Sequence, residues 1–133
     1  MTAQTSTTAS GKRLVFVVED DEFMRGLEVK SLETAGFNIS TASDGKKALA
    51  LLLKGPKPDL IILDLLLPDM SGFDVLAQIK QDPLSSSIPI LVLSNLGQEE
   101  EIDRAMKLGA ASYLIKANCT FSTIIAKVQE IVG

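Results

Sequence analysis

Residues 59–64, with the sequence DLIILD, decide the fold of this chain. Four consecutive large aliphatic residues between two acids are typical of a strand buried on both faces, as in a parallel sheet. Such a strand, predicted over residues 60–64, carries Asp64 to its carboxyl end. A second apolar run, residues 14–18, also leads into acids, at residues 19–21. Because open α/β sheets bind ligands at the carboxyl ends of their strands, these acids predict a chemical site.

Strand and helix signals alternate along the whole chain. The predicted strands cover residues 13–18, 37–42, 60–64, 88–94 and 111–115. The predicted helices cover residues 21–35, 45–54, 72–81, 98–108 and 121–132. This order predicts an α/β fold, in which helices cover both faces of a parallel five-stranded sheet. Since no linker or repeat interrupts the pattern, residues 12–133 are predicted to form one domain, after a flexible polar tail over residues 1–11.

Two local patterns make finer predictions about the helices. On the first helix, one side carries apolar residues at helical spacing, which predicts the buried face: Phe23, Met24, Leu27 and Ala35. Ser71 and Asp74 have the spacing of a capping box, which predicts the start of the third helix.

Composition narrows the class of function. The chain has 133 residues, 46% of them hydrophobic, and a net charge of −4, which argues against direct nucleic-acid binding. No apolar run approaches the roughly 20 residues of a membrane span. Residues 1–11 are small and polar, without the apolar core of a secretory signal, so we expect a cytoplasmic protein. Histidine is absent, which excludes histidine-based catalysis and histidine metal ligands. The single cysteine, Cys119, excludes an internal disulfide and is expected to be a packing residue.

Polar residues stand at or just beyond the ends of four predicted strands, namely Glu19 with Asp20, Asp64, Ser94 and Lys116. In a parallel sheet these ends share one edge, so the side chains should gather there. Mg²⁺ suits such a set, since it binds carboxylates, waters and phosphate oxygens. Each residue also has a structural interpretation, for example Asp20 as a helix cap or Lys116 with Asp64 as an ion pair. The presence of all five residues at these strand ends favours a chemical site over these structural interpretations.

In this order and spacing the residues resemble a response-regulator receiver domain, the phosphorylatable module of two-component signalling. The matching positions are Glu19, Asp20, Asp64, Pro68, Gly72, Ser94, Tyr113 and Lys116. The resemblance covers residues 12–132, nearly the whole chain. It implies a doubly wound (βα)5 fold of flavodoxin-like type, with strand order 2-1-3-4-5.

The resemblance implies a role for each acid at the predicted edge. Asp64 would accept a phosphoryl group from a phosphohistidine on a histidine kinase or a histidine phosphotransfer protein. Asp20 and Asp64 would bind Mg²⁺ directly, together with the backbone carbonyl of Leu66, and Glu19 would bind it through a water. Mg²⁺ is the one cofactor that the resemblance implies.

The resemblance also implies how phosphorylation would be read out. Lys116 would pair with Asp64 and later with the phosphoryl group, while Ser94 would donate a hydrogen bond to a phosphoryl oxygen. Tyr113 would swing inward as Ser94 moves. Output would pass through the fourth helix, fifth strand and fifth helix to an unidentified partner protein, with a phosphorylation-dependent homodimer as a further expectation.

The sequence departs from the family pattern after the lysine and near the acceptor. Receivers usually have proline after this lysine, whereas here it is Ala117, and a cis peptide without proline costs about 3–4 kcal/mol. The sequence therefore leaves open whether this bond is cis, and with it the shape of the loop over residues 116–120. Leu66 and Leu96 are both apolar where polar residues in receivers tend to help hydrolysis, so we expect a long-lived phosphorylated form.

Two other classes of function stay open at this point. An adaptor shaped like a receiver would bind partners without being phosphorylated, but the retained site residues argue against it. A Mg²⁺-dependent phosphatase with an aspartyl-phosphate intermediate often has a second aspartate two residues after the nucleophile, where this chain has Leu66. We therefore expect a signalling module whose only chemistry is self-phosphorylation from phosphodonors and autodephosphorylation.

Overall fold

The computed structural model describes residues 11–133, so the tail predicted over residues 1–11 lies, apart from Gly11, outside the described residues. The five strands are β1 Leu14–Val18, β2 Asn38–Ala42, β3 Leu60–Leu63, β4 Ile90–Ser94 and β5 Ser112–Ile115. The five α-helices are α1 Glu22–Thr34, α2 Gly45–Lys54, α3 Gly72–Gln81, α4 Glu99–Lys107 and α5 Phe121–Val132. A short 3-10 turn, Lys116–Asn118, links β5 to α5.

The strands form one parallel sheet in the order β2-β1-β3-β4-β5, which confirms the predicted α/β fold and strand order. The boundaries differ slightly from the prediction. β3 ends at Leu63 rather than Asp64, although the amide of Asp64 still donates to the carbonyl of Val18 at 3.1 Å. β4 begins at Ile90 rather than at residue 88, because Pro89 has no amide hydrogen to donate to the sheet.

Side chains that alternate along the strands build two apolar layers, one on each face of the sheet. Phe16, Ile61 and Val92 belong to the layer that packs against α2, α3 and α4. Val17 and Ile62 belong to the opposite layer, which packs against α1 and α5. Burial on both faces explains why β1, β3 and β4 read as unbroken apolar runs. Within residues 11–133, no helix has the length and apolarity that a membrane crossing requires.

The buried face of α1 differs from the predicted one. Phe23 is 74% exposed, and Met24 and Leu27 are only partly buried. The residues that α1 buries are Glu28 and Leu32. Met24, Glu28 and Leu32 are successive at a spacing of four, so they share a face that Phe23, about 100° away around the helix axis, does not.

The helix caps confirm that α3 begins directly after Ser71, but they correct two other interpretations of the sequence. The Ser71 side chain accepts from the amide of Phe73 at 3.1 Å, not from that of Asp74, so the predicted capping box at α3 is wrong. Asp21 caps α1 by accepting from the amide of Met24 at 3.1 Å. The helix-cap interpretation of Asp20 is therefore wrong as well, because its neighbour provides the cap.

The first residue of α3, Gly72, packs directly against the segment that leaves β3. Its amide donates to the carbonyl of Leu65 at 3.0 Å. A Cβ at position 72 would lie 2.7 Å from that carbonyl oxygen and 2.8 Å from the carbonyl oxygen of Asp64. Only a residue without a side chain lets α3 approach the segment that carries Asp64 this closely.

We predict that Gly72→Ala lowers the free energy of unfolding by about 2 kcal/mol or more, since the added methyl group would displace backbone rather than a flexible side chain. Gly26→Ala is the matched control, because a Cβ at that position in α1 has no atom within 4 Å. It should raise the free energy of unfolding by roughly 0.5–1 kcal/mol, the helix preference of alanine over glycine. Urea unfolding measures both, and equal effects would contradict the packing assigned to Gly72.

Candidate functional site

Three carboxylates meet at the carboxyl edge of the sheet. Val18 and Leu63, the last residues of β1 and β3, are paired in register, so the residues that follow them emerge side by side. Glu19, Asp20 and Asp64 each offer an oxygen, and these oxygens all lie within 4.8 Å of one another. The parallel register, rather than closeness in sequence, creates this cluster.

Two of the three carboxylates are buried and share one cation. Glu19 is 2% exposed and Asp64 is 5% exposed, whereas Asp20 is open to solvent. The Nζ atom of Lys116 lies 2.7 Å from Oδ2 of Asp64 and also donates to Oε1 of Glu19. Burial alone would lower the pKa of Lys116, but the hydrogen bonds to Asp64 and Glu19 outweigh it and raise that pKa above its ordinary value. The lysine therefore stays charged and offsets the repulsion between the acids.

Backbone donors fix the remaining carboxylate oxygens. Oδ1 of Asp64 accepts from the amide of Leu66 at 3.0 Å. Oε2 of Glu19 accepts from the amide of Asp21 at 3.1 Å. The guanidinium of Arg25 donates to the backbone carbonyl of Glu19 at 2.8 Å. Both buried acids are thus oriented by the chain that immediately follows them.

The donor set fits a small hard cation such as Mg²⁺. Mg²⁺ prefers oxygen ligands and keeps several waters, so a site with few carboxylates and an open side suits it. Glu19, Asp20 and Asp64 supply the oxygens, and exposed Asp20 provides the open side. These three residues could hold the ion.

Ser94 and Tyr113 lie on the neighbouring strands β4 and β5. Ser94 ends β4, is completely buried, and its Oγ accepts from the amide of Leu96 at 3.4 Å. The hydroxyl of Tyr113 donates to the carbonyl of Leu96. Burial, followed by the negative charges of Glu101 and Asp64, raises the pKa of Tyr113. The tyrosine is therefore tied to the loop that begins at Ser94.

The loop after β5 has an all-trans backbone, a point that the sequence left open. No peptide bond among residues 11–133 is cis. The amide of Ala117 donates to Oδ1 of Asn95 at 3.1 Å, which joins the loop after β5 to the loop after β4. Cys119 is half-buried, and burial raises the pKa of its thiol, which agrees with its interpretation as a packing residue.

Sequence reasoning missed two acids near this edge. Asp69, in the segment after Asp64, accepts from the amides of Gly45 and Lys46 at 2.9 Å each, and these bonds lower its pKa even though desolvation opposes them. It ties the β3–α3 segment to the start of α2. The second acid is Glu28, which is 2% exposed. Burial first, then the charge of Glu19, raises the pKa of Glu28 from 4.5 to about 8.

Glu28 makes a testable contribution to the pH dependence of stability. An acid whose pKa rises on folding binds more protons in the folded state, so its contribution to stability falls as the pH rises from 4.5 to about 8. We predict that the stability of Glu28→Gln relative to the parent protein increases over this window, by up to roughly 1 kcal/mol per pH unit. Urea unfolding across this range measures it. Glu33→Gln, at an exposed position on the same helix, is the control, and a difference that is constant with pH would contradict the prediction.

Comparisons with known proteins agree with this geometry. Residues 15–129 match the family described as response regulator receiver domain. The DNA-binding dual master transcriptional regulator RpaA of Synechocystis is 37% identical over 102 residues, which are 77% of this chain and 42% of that protein. The chain spans about two fifths to one half of the length of the curated relatives it matches.

Solved structures share the fold. The chemotaxis protein CheY4 of Vibrio cholerae has a TM-score of 0.83 at 28% identity, over 90% of this chain and 98% of that one. The phosphorylated cyanobacterial phytochrome response regulator RcpA has a TM-score of 0.77 at 34% identity, over 90% and 91% of the two chains. The matched family, the strand order and these neighbours lead to one conclusion: the chain belongs to the response regulator receiver domains of two-component signalling.

Proposed function

We propose that this domain accepts a phosphoryl group on Asp64, in a Mg²⁺-dependent reaction, from a phosphohistidine on a histidine kinase or a phosphotransfer protein. The observation that carries the proposal is the buried Asp64 carboxylate, held between the Lys116 ammonium and the other two acids at the carboxyl edge of the sheet. A carboxylate in this position is oriented, partly neutralised and accessible from the side of Asp20. The phosphorylated RcpA structure supports the proposal by similarity.

The residues of this chain would supply positioning and charge neutralisation, which phosphoryl transfer mainly requires. An Asp64 oxygen forms a bond to phosphorus while the phosphorus–nitrogen bond of the phosphohistidine breaks, and the imidazole nitrogen keeps the electron pair. Bound Mg²⁺, held by Asp20, Asp64 and the Leu66 carbonyl, with Glu19 acting through a water, would neutralise phosphoryl oxygens. Lys116 would pass from the Asp64 carboxylate to the new phosphoryl group.

The switch would begin with Ser94. Phosphorylation adds about two negative charges and new hydrogen-bond acceptors at this packed edge. If Ser94 moves to donate to a phosphoryl oxygen, the following loop moves with it, and that loop carries the Leu96 carbonyl that now accepts from Tyr113. Tyr113 would lose this partner and turn inward, which changes the surface around α4, β5 and α5.

The proposal includes the partners and the setting of this domain. The output partner would bind the α4–β5–α5 surface, on which Asp103, Arg104 and Lys107 are exposed. We propose a cytoplasmic phosphorylation-controlled binding module that does not itself contact nucleic acid, and that forms a homodimer when phosphorylated. Catalysis would be limited to self-phosphorylation from phosphodonors and autodephosphorylation. DNA binding is named for RpaA, of which this chain spans 42%.

Intact mass after incubation with acetyl phosphate tests the acceptor. We predict one phosphoryl adduct, formed with Mg²⁺ and absent after chelation, because the acids need a cation to admit a phosphate. Asp64→Asn should abolish the adduct. Asp74→Asn, at an exposed position on α3, makes the same change away from the site and should leave labelling intact.

Two outcomes would contradict the proposed acceptor. Equal labelling of Asp64→Asn would place the phosphoryl group on another residue. Failure of the parent protein to label with Mg²⁺ present would favour a receiver-like adaptor, and partner binding retained by Asp64→Ala would support that alternative.

The lifetime of the phosphorylated form depends on Leu66 and Leu96. Leu66 follows Asp64 by two residues and is 51% exposed, and Leu96 follows Ser94 by two and is partly buried. Neither side chain can orient an attacking water. We therefore propose that the aspartyl phosphate of this protein hydrolyses slowly.

We predict that Leu66→Asn accelerates phosphate release about tenfold, below the roughly 10²–10⁴-fold of a full acid–base group because an amide only orients water. Leu84→Asn is the control, since Leu84 is 71% exposed and lies far along the chain, after α3. Release of phosphate from the phosphorylated protein measures the rate. A parent half-life of seconds, or equal rates for the parent and Leu66→Asn, would refute the proposal.

A further inference from the structure

A groove of about 350 Å³ lies between α1 and α5, beside the acidic cluster but outside it. Its walls are largely apolar, with Met24 and Leu27 from α1, Leu93 from β4, and Phe121 and Ile124 from α5. A volume of this size is within the roughly 300–1,000 Å³ range of small-molecule sites in proteins.

One side chain in the wall of this groove is out of place in an apolar surface. Glu28 lines the groove and is only 2% exposed. Among residues 11–133, neither of its carboxylate oxygens has a hydrogen-bond partner. Lys116 also lines the groove, but its ammonium group already pairs with Glu19 and Asp64.

An unpartnered buried carboxyl is unfavourable for the folded chain. Burying a polar group without a hydrogen bond costs about 1–3 kcal/mol in proteins, and more when it is charged. A leucine at position 28 would fill the same layer between α1 and α5 without that cost. The carboxyl group of Glu28 is therefore suited to bind a ligand, which would supply the hydrogen bonds that it lacks.

We propose that this groove binds a small molecule with an apolar body and an amidinium or guanidinium head, whose paired N–H donors bind the carboxylate of Glu28. Binding there requires no phosphorylation of Asp64, although Lys116 belongs both to the groove wall and to the acidic cluster.

The chemistry of the head follows from the two free oxygens. A planar fork of N–H donors matches a carboxylate in a bidentate arrangement, which is among the strongest hydrogen-bonded pairings in proteins. Glu19 and Asp64 act on Glu28 as nearby negative charges and Lys116 acts on it as a positive one. The net charge of these three groups is negative, which favours a cationic over an anionic head. The apolar walls select the body of the ligand.

Access to Glu28 requires a small movement of the wall. The carboxylate oxygens lie beneath the surface of the groove. Met24 is one helical turn before Glu28 on the same face of α1, and its unbranched side chain adopts alternative conformations readily. Rotation of Met24 can open the wall to a flat head group without moving the backbone.

Benzamidine tests the proposal, because it joins an amidinium fork to a single apolar ring. Titration into the full chain, followed by amide chemical shifts, should give saturable shifts in α1 and α5. Benzamide, which keeps the ring but has no charged fork, should bind at least about tenfold more weakly. Glu28→Gln should weaken benzamidine by a similar factor, while Glu33→Gln, exposed on the same helix, should leave its affinity unchanged.

A second variant keeps the test valid if Glu28→Gln does not fold. Leu27→Trp, at a partly buried position in the wall, fills the groove and leaves Glu28 intact, and it should abolish the saturable shifts. Absence of saturable shifts in the parent protein, equal binding of benzamide, or retained affinity in Leu27→Trp or in folded Glu28→Gln would each overturn the proposal.

Discussion

The pairing of Lys116 with two buried carboxylates is the interaction on which the functional edge of this sheet depends. Glu19 and Asp64 are brought together by the register of β1 and β3, and without a cation their charges would repel. The ammonium group arrives from the end of β5, two strands away from β3 in the sheet. Removing it would leave two buried acids uncompensated, which is far more costly than losing a surface ion pair. The strand order is therefore a condition for the site.

The same cluster explains why Glu28 stands apart. Lys116 has its ammonium committed to Glu19 and Asp64, so no cation is left for the carboxyl group on α1. One face of the sheet packs a mainly apolar layer against α2, α3 and α4. The other face, against α1 and α5, includes this one acid. Burial raises the pKa of this carboxyl group to about 8, so a cationic partner is needed to hold it ionised at neutral pH.

Much of the fold was predictable because buried parallel strands leave a strong pattern. The runs 14–18, 60–63 and 90–93 are apolar throughout since both of their faces are covered, and the residues that follow them mark the functional edge. The helices were harder to place in detail. A glutamate such as Glu28 on an amphipathic helix has the pattern of a solvated residue, and Phe23 that of a buried one, but packing rotates α1 so that the reverse holds.

The sequence by itself determined the element order, the acids at two strand ends and the lysine after the last strand, because these follow from local apolar runs and their flanking residues. Only the tertiary structure decided that Lys116 bonds Glu19 as well as Asp64, and that Asp69 accepts from the first two amides of α2. It also decided that Glu28 is buried. These contacts join residues far apart in the chain, and their geometry is fixed by strand register and helix rotation, which no local pattern encodes.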